Sequence, residues 1–179
     1  MTAFTAYSIA TAAPELKPTL EAIEKNFGFI PNLFAYMAEA PLTIEAYLAL
    51  NALIAKSSFT PQQAQVALLA VSVENQCGFC SVAHRAIGKK VGANQQTLDA
   101  LNNNSLVEDF KDQALATFVR AVVKERGWVA GAVVDQFLAS GFTKQQVFEV
   151  MLIVAIKTLS NYSNHISQPE PNPELLAMV

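Results

Sequence analysis

Two stretches of this 179-residue chain read alike, and that likeness restricts the fold more than any other feature. Phe59-Thr60-Pro61-Gln62-Gln63 aligns with Phe142-Thr143-Lys144-Gln145-Gln146, and the register continues without a gap, placing Leu69 on Leu152, Val71 on Val154 and Phe79 on Tyr162. Each stretch opens with a threonine suited to cap a helix and has a glutamine three residues later, the reciprocal pattern that satisfies two orphan N–H groups at a helix start. Pro61 adds the residue preferred at the first helical position. Coincidence between two similarly capped helices is the competing explanation. Self-similarity over a whole element and its cap nevertheless favours a duplicated unit. Two helical halves packed about a pseudo-twofold axis are expected.

Helical periodicity accounts for most of the remaining chain. It predicts helices over 14–25, 33–39, 41–56 and 61–73, one through the cysteine motif ending near Gly92, a turn at 98–101, and helices over 109–125, 130–138 and 143–159. No strand-like alternation interrupts them, so an all-α fold is expected and a thioredoxin fold is disfavoured. Residues 1–13 read as an N-terminal arm and 14–166 as a single helical domain. Residues 167–179, with Pro169, Pro171 and Pro173, read as an extended or disordered tail. Phe27-Gly28-Phe29-Ile30-Pro31-Asn32 breaks the first helix, and its apolar residues belong in the core or on a pocket wall.

Chemistry concentrates in Glu74-Asn75-Gln76-Cys77-Gly78-Phe79-Cys80-Ser81-Val82-Ala83-His84, which holds both cysteines and one of the two histidines. Side chains three and four residues apart share a helix face, with Cβ atoms roughly 5–6 Å apart, so Cys77, Cys80 and His84 form one cluster. Bridged Cβ atoms lie closer, at about 3.5–4.5 Å, so a disulfide here is somewhat strained and easily reduced. Asn75 is the expected N-cap, which puts both sulfurs in the first turn, where free N–H groups and the dipole favour thiolate. His84 can take up the thiol proton, directly or through water. Ordinary burial of two cysteines and a histidine is the alternative.

The net charge is −3 and the twelve Lys and Arg are scattered, which argues against nucleic-acid binding. The run from Val147 to Leu159 is the most apolar, but Glu149 and Lys157 break it and it is too short to span a bilayer, so no membrane association is expected. The N-terminus lacks the basic and apolar segments of a secretory signal, so a cytoplasmic location is expected, where a lone CxxC is a working dithiol rather than a staple. Only 15% of residues are charged, which leaves apolar surface for burial between subunits.

These motifs resemble the carboxymuconolactone decarboxylase and AhpD-like alkylhydroperoxidase superfamily. The likeness rests on Cys77-x-x-Cys80-x-x-x-His84, the helix before it, Gly28-Phe29-Ile30-Pro31-Asn32 and Asn161-Tyr162-x-Asn164-His165. It implies an all-α AhpD-like domain with an internal helix-pair repeat, assembled into homo-oligomers, often trimers or hexamers. It also implies a peroxiredoxin-type antioxidant enzyme that needs no cofactor or metal, reduces a hydroperoxide and is regenerated by a separate dithiol reductant. Cys80 would attack the peroxide, Cys77 would resolve the sulfenic acid, and His84 would serve a proton relay. The relay glutamate of the best-known members is Gln65 here, and a histidine between their cysteines is Phe79. Glu74 is the nearest acid in sequence and the candidate replacement. Two alternatives stand beside this reading: a lactone-decarboxylase-like lyase, and a zinc-binding or assembly protein using Cys77, Cys80, His84 and His165.

Overall fold

The computed structural model describes residues 4–179, so residues 1–3 of the expected arm lie outside the described residues. Every regular element among the described residues is helical. A 3-10 turn at Pro14–Leu16 leads into α1 (Lys17–Phe27), α2 (Asn32–Met37), α3 (Pro41–Ile54), α4 (Pro61–Glu74) and α5 (Gly78–Lys90). There follow α6 (Gln95–Asn102), α7 (Phe110–Lys124), α8 (Gly131–Ala139), α9 (Lys144–Ser167) and α10 (Pro173–Leu176). No helix among the described residues is long and apolar enough to cross a membrane.

The repeat organises the core. Thr60 and Thr143 each accept the N–H of the residue three on, and Gln63 and Gln146 each reach back to the cap residue, so α4 and α9 begin with the same capping box. The phenylalanines before the two caps, Phe59 and Phe142, are buried with ring centroids 6.2 Å apart. Phe142 stacks on Phe137 and Phe137 on Phe118, each at 4.4 Å, which ties both helix starts to α7 and α8. Along α4, Val66, Ala67, Leu69, Ala70 and Val71 are no more than 1% exposed. A helix apolar on all sides belongs in the interior, and α4 packs against α5, α6, α7 and α9.

The halves diverge where α4 ends. The N–H of Gln76 donates to the Val73 carbonyl at 2.9 Å and that of Cys77 to the Ser72 carbonyl at 2.8 Å, with Gln76 left-handed at φ 57. This is the Schellman closure of a helix C-terminus. The chain turns, and Cys77 itself becomes the N-cap of α5. The expectation of Asn75 as N-cap is therefore corrected: Asn75 caps the C-terminus of α4. In the second half the same register stays helical, so α9 continues to Ser167, well past the end expected near residue 159.

Both chain ends lie along the helices that surround the cysteines. In the arm, the Tyr7 N–H donates to the Ala35 carbonyl at 2.9 Å. In the tail, Asn172 Oδ1 accepts the Asn32 N–H at 2.8 Å, and Leu175 is buried with Cys77, Phe79 and Cys80. The tail is thus a strap ending in α10.

Candidate active site

Cys77 and Cys80 are free thiols, each 2% exposed, at the cap and in the first turn of α5. One turn on, His84 is buried on the same helix, and the two other members of its network come from α4 and α9. His84 Nδ1 lies 2.9 Å from Gln65 Oε1, and His84 Nε2 lies 2.8 Å from Lys157 Nζ. With the amide oxygen accepting from Nδ1–H, Nε2 presents its lone pair to the lysine.

Lys157 is the residue that sequence reasoning missed. It is 1% exposed, and the single ion pair among the described residues is Arg85 with Asp99 on the surface. A buried ammonium with no carboxylate needs another anion. The Cys80 sulfur meets that need. Hydrogen bonding from the Cys77 thiol pulls Cys80 well below the ordinary thiol range, burial opposes this, and the charge and hydrogen bond of Lys157 reinforce it. Cys77 moves the opposite way, chiefly because its S–H is engaged with Cys80 and secondarily because it is buried. The pair is therefore polarised, with Cys80 the thiolate and Cys77 the thiol.

Burial, helped by the lysine charge, holds His84 well below the usual imidazole range, so it is neutral. The His84 nitrogens, expected to reach the thiol proton directly or through water, face Gln65 and Lys157. Burial and, after it, the Cys80 charge push the Tyr47 phenol up, so it stays protonated. From α9, Asn164 Nδ2 approaches Cys80 Sγ at 3.3 Å and Cys77 Sγ at 3.7 Å. Asn161 Oδ1 accepts from Asn75 Nδ2 at 2.9 Å, and its own buried Nδ2 has no hydrogen-bond partner.

Of the residues singled out in the sequence, Cys77, Cys80, His84 and Gln65 come together and Glu74 does not. Glu74 ends α4, and its carboxylate acts on Arg120 of α7. The Schellman turn removes it from the cysteines, because three residues across a reversal do not place two side chains on one face. The zinc arrangement is not gathered either: both His84 nitrogens face Gln65 and Lys157, and no group of three His, Cys, Asp or Glu side chains suited to a metal occurs among the described residues. His165 lies elsewhere, stacked on Tyr162 at 6.1 Å. It lines a cavity of about 310 Å³ with Cys77, Gly78, Phe79 and Asn164, between the start of α5 and the end of α9. Cys77 forms part of that wall and Cys80 does not.

Residues 41–108, which span α3 through the cysteine helix and α6, match the model of the carboxymuconolactone decarboxylase family. The AhpD-core, uncharacterized peroxidase-related protein of Ralstonia eutropha JMP134 superposes with a TM-score of 0.86 at 25% identity, over 99% of this chain and 97% of that one. Residues 41–108 are therefore similar to the carboxymuconolactone decarboxylase family, and the whole chain takes the AhpD-like fold. Among other superfamily-like folds, an uncharacterized peroxidase-related protein of Silicibacter sp. TM1040 superposes with a TM-score of 0.79 at 18% identity, over 96% of this chain and 93% of that one. Debrominase Bmp8, as a cysteine-to-alanine variant in complex with 2,3,4-tribromopyrrole, gives 0.80 at 19%, over 99% and 96%. No curated protein matches the chain. The all-α AhpD-like fold supports a peroxidase-related or decarboxylase-like activity, and the debrominase shows that one fold carries different chemistries.

Proposed function

We propose that the chain is a cytoplasmic, peroxiredoxin-type thiol oxidoreductase that reduces hydroperoxides with Cys80 and Cys77. The observation that carries this reading is the buried Lys157 ammonium beside Cys80, which stabilises a thiolate without a carboxylate relay. The Cys80 thiolate attacks one peroxide oxygen, the O–O bond breaks, and the departing alkoxide takes a proton from solvent while Lys157 keeps its charge. Cys80 is left as a sulfenic acid. Cys77 then attacks the Cys80 sulfur, hydroxide leaves as water with the Cys77 proton, and a disulfide closes. Asn164 touches both sulfurs and so spans both steps. A lyase of the same fold has no use for a dithiol polarised in this way.

The test is stopped-flow mixing of reduced protein with hydrogen peroxide, tert-butyl hydroperoxide and cumene hydroperoxide, followed by a thiol count. Loss of both thiols faster than free cysteine reacts is expected, and no faster loss with any peroxide defeats the reading.

A homo-oligomer is part of the same proposal. Along α9, Phe148 (75% exposed), Met151, Tyr162 and Ile166 (66% exposed) form an apolar stripe with no exposed charge among Val150–Ser167. A lone subunit seldom leaves such a stripe in water. Light scattering should give a mass above the 19.3 kDa of one chain.

A further inference from the structure

The two cysteines are equally buried at 2% exposure but differ in which one lines the cavity as well as in charge. Cys77 and Asn164 form part of the wall of the cavity between the start of α5 and the end of α9, whereas Cys80, beside Lys157, does not line it. In the disulfide, an incoming sulfur that arrives by this cavity meets Cys77 first. His165 stands on the same wall and is solvent-exposed. Its ring is stacked on Tyr162 rather than engaged with the relay, and the peroxide step gives it no role. An imidazole ring nitrogen can accept a proton, and its place on the wall suits it to relieve an incoming thiol of its proton.

Resting on the peroxidase reading, we propose that this cavity is the reductant's entry site: an external thiol enters it, gives its proton to His165 and attacks Cys77, never Cys80. The new bond is Cys77 Sγ to the external sulfur. The bond that breaks is Cys77–Cys80, and its electron pair leaves on Cys80, where the Lys157 ammonium receives it. A second thiolate, from the same molecule if it is a dithiol, then attacks the external sulfur and displaces Cys77, which takes up a proton. Two external thiols become one disulfide, and the protein disulfide is reduced by two electrons. Direction follows from the leaving group: exchange is faster when the departing thiol is the more acidic one, and attack at Cys77 expels the sulfur that the lysine stabilises. Attack at Cys80 would expel the poorer leaving group, at a sulfur that does not line the cavity.

The disulfide of the full chain is made with diamide and mixed with 2-mercaptoethanol. It is quenched with N-ethylmaleimide and mapped by peptide fragmentation. Mercaptoethanol on Cys77 with maleimide on Cys80 is expected in at least roughly tenfold excess over the reverse; equal labelling, or an adduct on Cys80, overturns the proposal. His165→Ala should slow disulfide opening about tenfold near pH 7, with the deficit vanishing above about pH 9, where the thiol ionises unaided. A deficit equal at every pH, or none, removes His165 from the step. Because diamide forms the disulfide, failure to consume hydroperoxide and failure of this exchange are read in separate experiments.

Discussion

The Lys157 ammonium is the part of the site whose removal has the sharpest consequence. Lys157→Met keeps the length and volume of the side chain and deletes only the charge. The lysine is 1% exposed, so little solvent screens its effect on Cys80. An opposite charge within about 4–6 Å changes the proton affinity of an acid by about 10- to 1,000-fold. The more basic thiolate left behind is a better nucleophile, with a Brønsted coefficient of about 0.4–0.5. Below the titration midpoints of both proteins, alkylation of Cys80 by iodoacetamide should therefore fall by roughly 3- to 60-fold. Above both midpoints the variant should match or exceed the wild type, because both are then fully ionised and the variant's sulfur is more nucleophilic. Removing one partner of a buried ion pair costs about 3–5 kcal/mol while the other stays charged, so the melting temperature should fall, and fall less at low pH where Cys80 takes up its proton. Rate against pH, with a melting curve for each protein, is the assay. A deficit of equal size at every pH, or an unmoved midpoint, refutes the assignment of Lys157 as the counter-charge.

Three further outcomes follow from the same geometry. Cys80→Ser should abolish peroxide consumption, whereas Cys77→Ser should still form a sulfenic acid that dimedone traps at Cys80; trapping at Cys77 in Cys80→Ser reverses the two roles. The folded protein holds His84 below its unfolded value of about 6.5, so the unfolded chain binds more protons just below that pH, and the melting temperature of the reduced protein should fall as the pH drops through this range and fall less in His84→Gln. Glu74→Gln and Gln65→Glu should each fail to raise the rate of Cys80 oxidation in stopped flow, and an accelerated Gln65→Glu variant would show that a carboxylate relay had been missing after all.

What the sequence disclosed was what local spacing controls. The threonine caps, the glutamines that answer them and the start of α4 at Pro61 follow from contacts within one helical turn, as does the grouping of Cys77, Cys80 and His84 on α5. Asn75 misled because asparagine suits either end of a helix, and the turn that decided the matter depends on Gln76, a non-glycine residue in a left-handed conformation that side chains seldom adopt. The end of α9 was misjudged because the second copy carries polar residues through Ser160, Asn161, Ser163 and Asn164. These look like a loop, yet three of their hydroxyl and amide side chains point to the helix's own carbonyls or the cysteines. Lys157 lies 73 residues from His84 and meets it only through tertiary packing. A signal did exist. A charged residue in the middle of the most apolar run either ends the helix or has a buried anion, and in the repeat register Lys157 falls on Glu74. The two copies carry opposite charges at one position, and the copy without thiols turns its charge toward them.

That exchange explains why an amide at position 65 is sufficient. A relay that ends in a carboxylate removes a proton from a thiol at the moment of reaction, and it needs histidine to be basic. Here the proton has already gone, held off by a permanent cation, and histidine has a different task. Gln65 accepts from Nδ1–H and cannot take the proton itself, which fixes the tautomer and aims the Nε2 lone pair at Lys157. The imidazole thus positions the ammonium against Cys80. A glutamate at 65 would favour imidazolium, and two cations 2.8 Å apart in the interior cannot both persist. If Lys157 were the one to lose its proton, Cys80 would lose its counter-charge and regain its own proton. The amide is therefore the side chain that keeps His84 neutral, Lys157 charged and Cys80 ionised, and the three states stand or fall together.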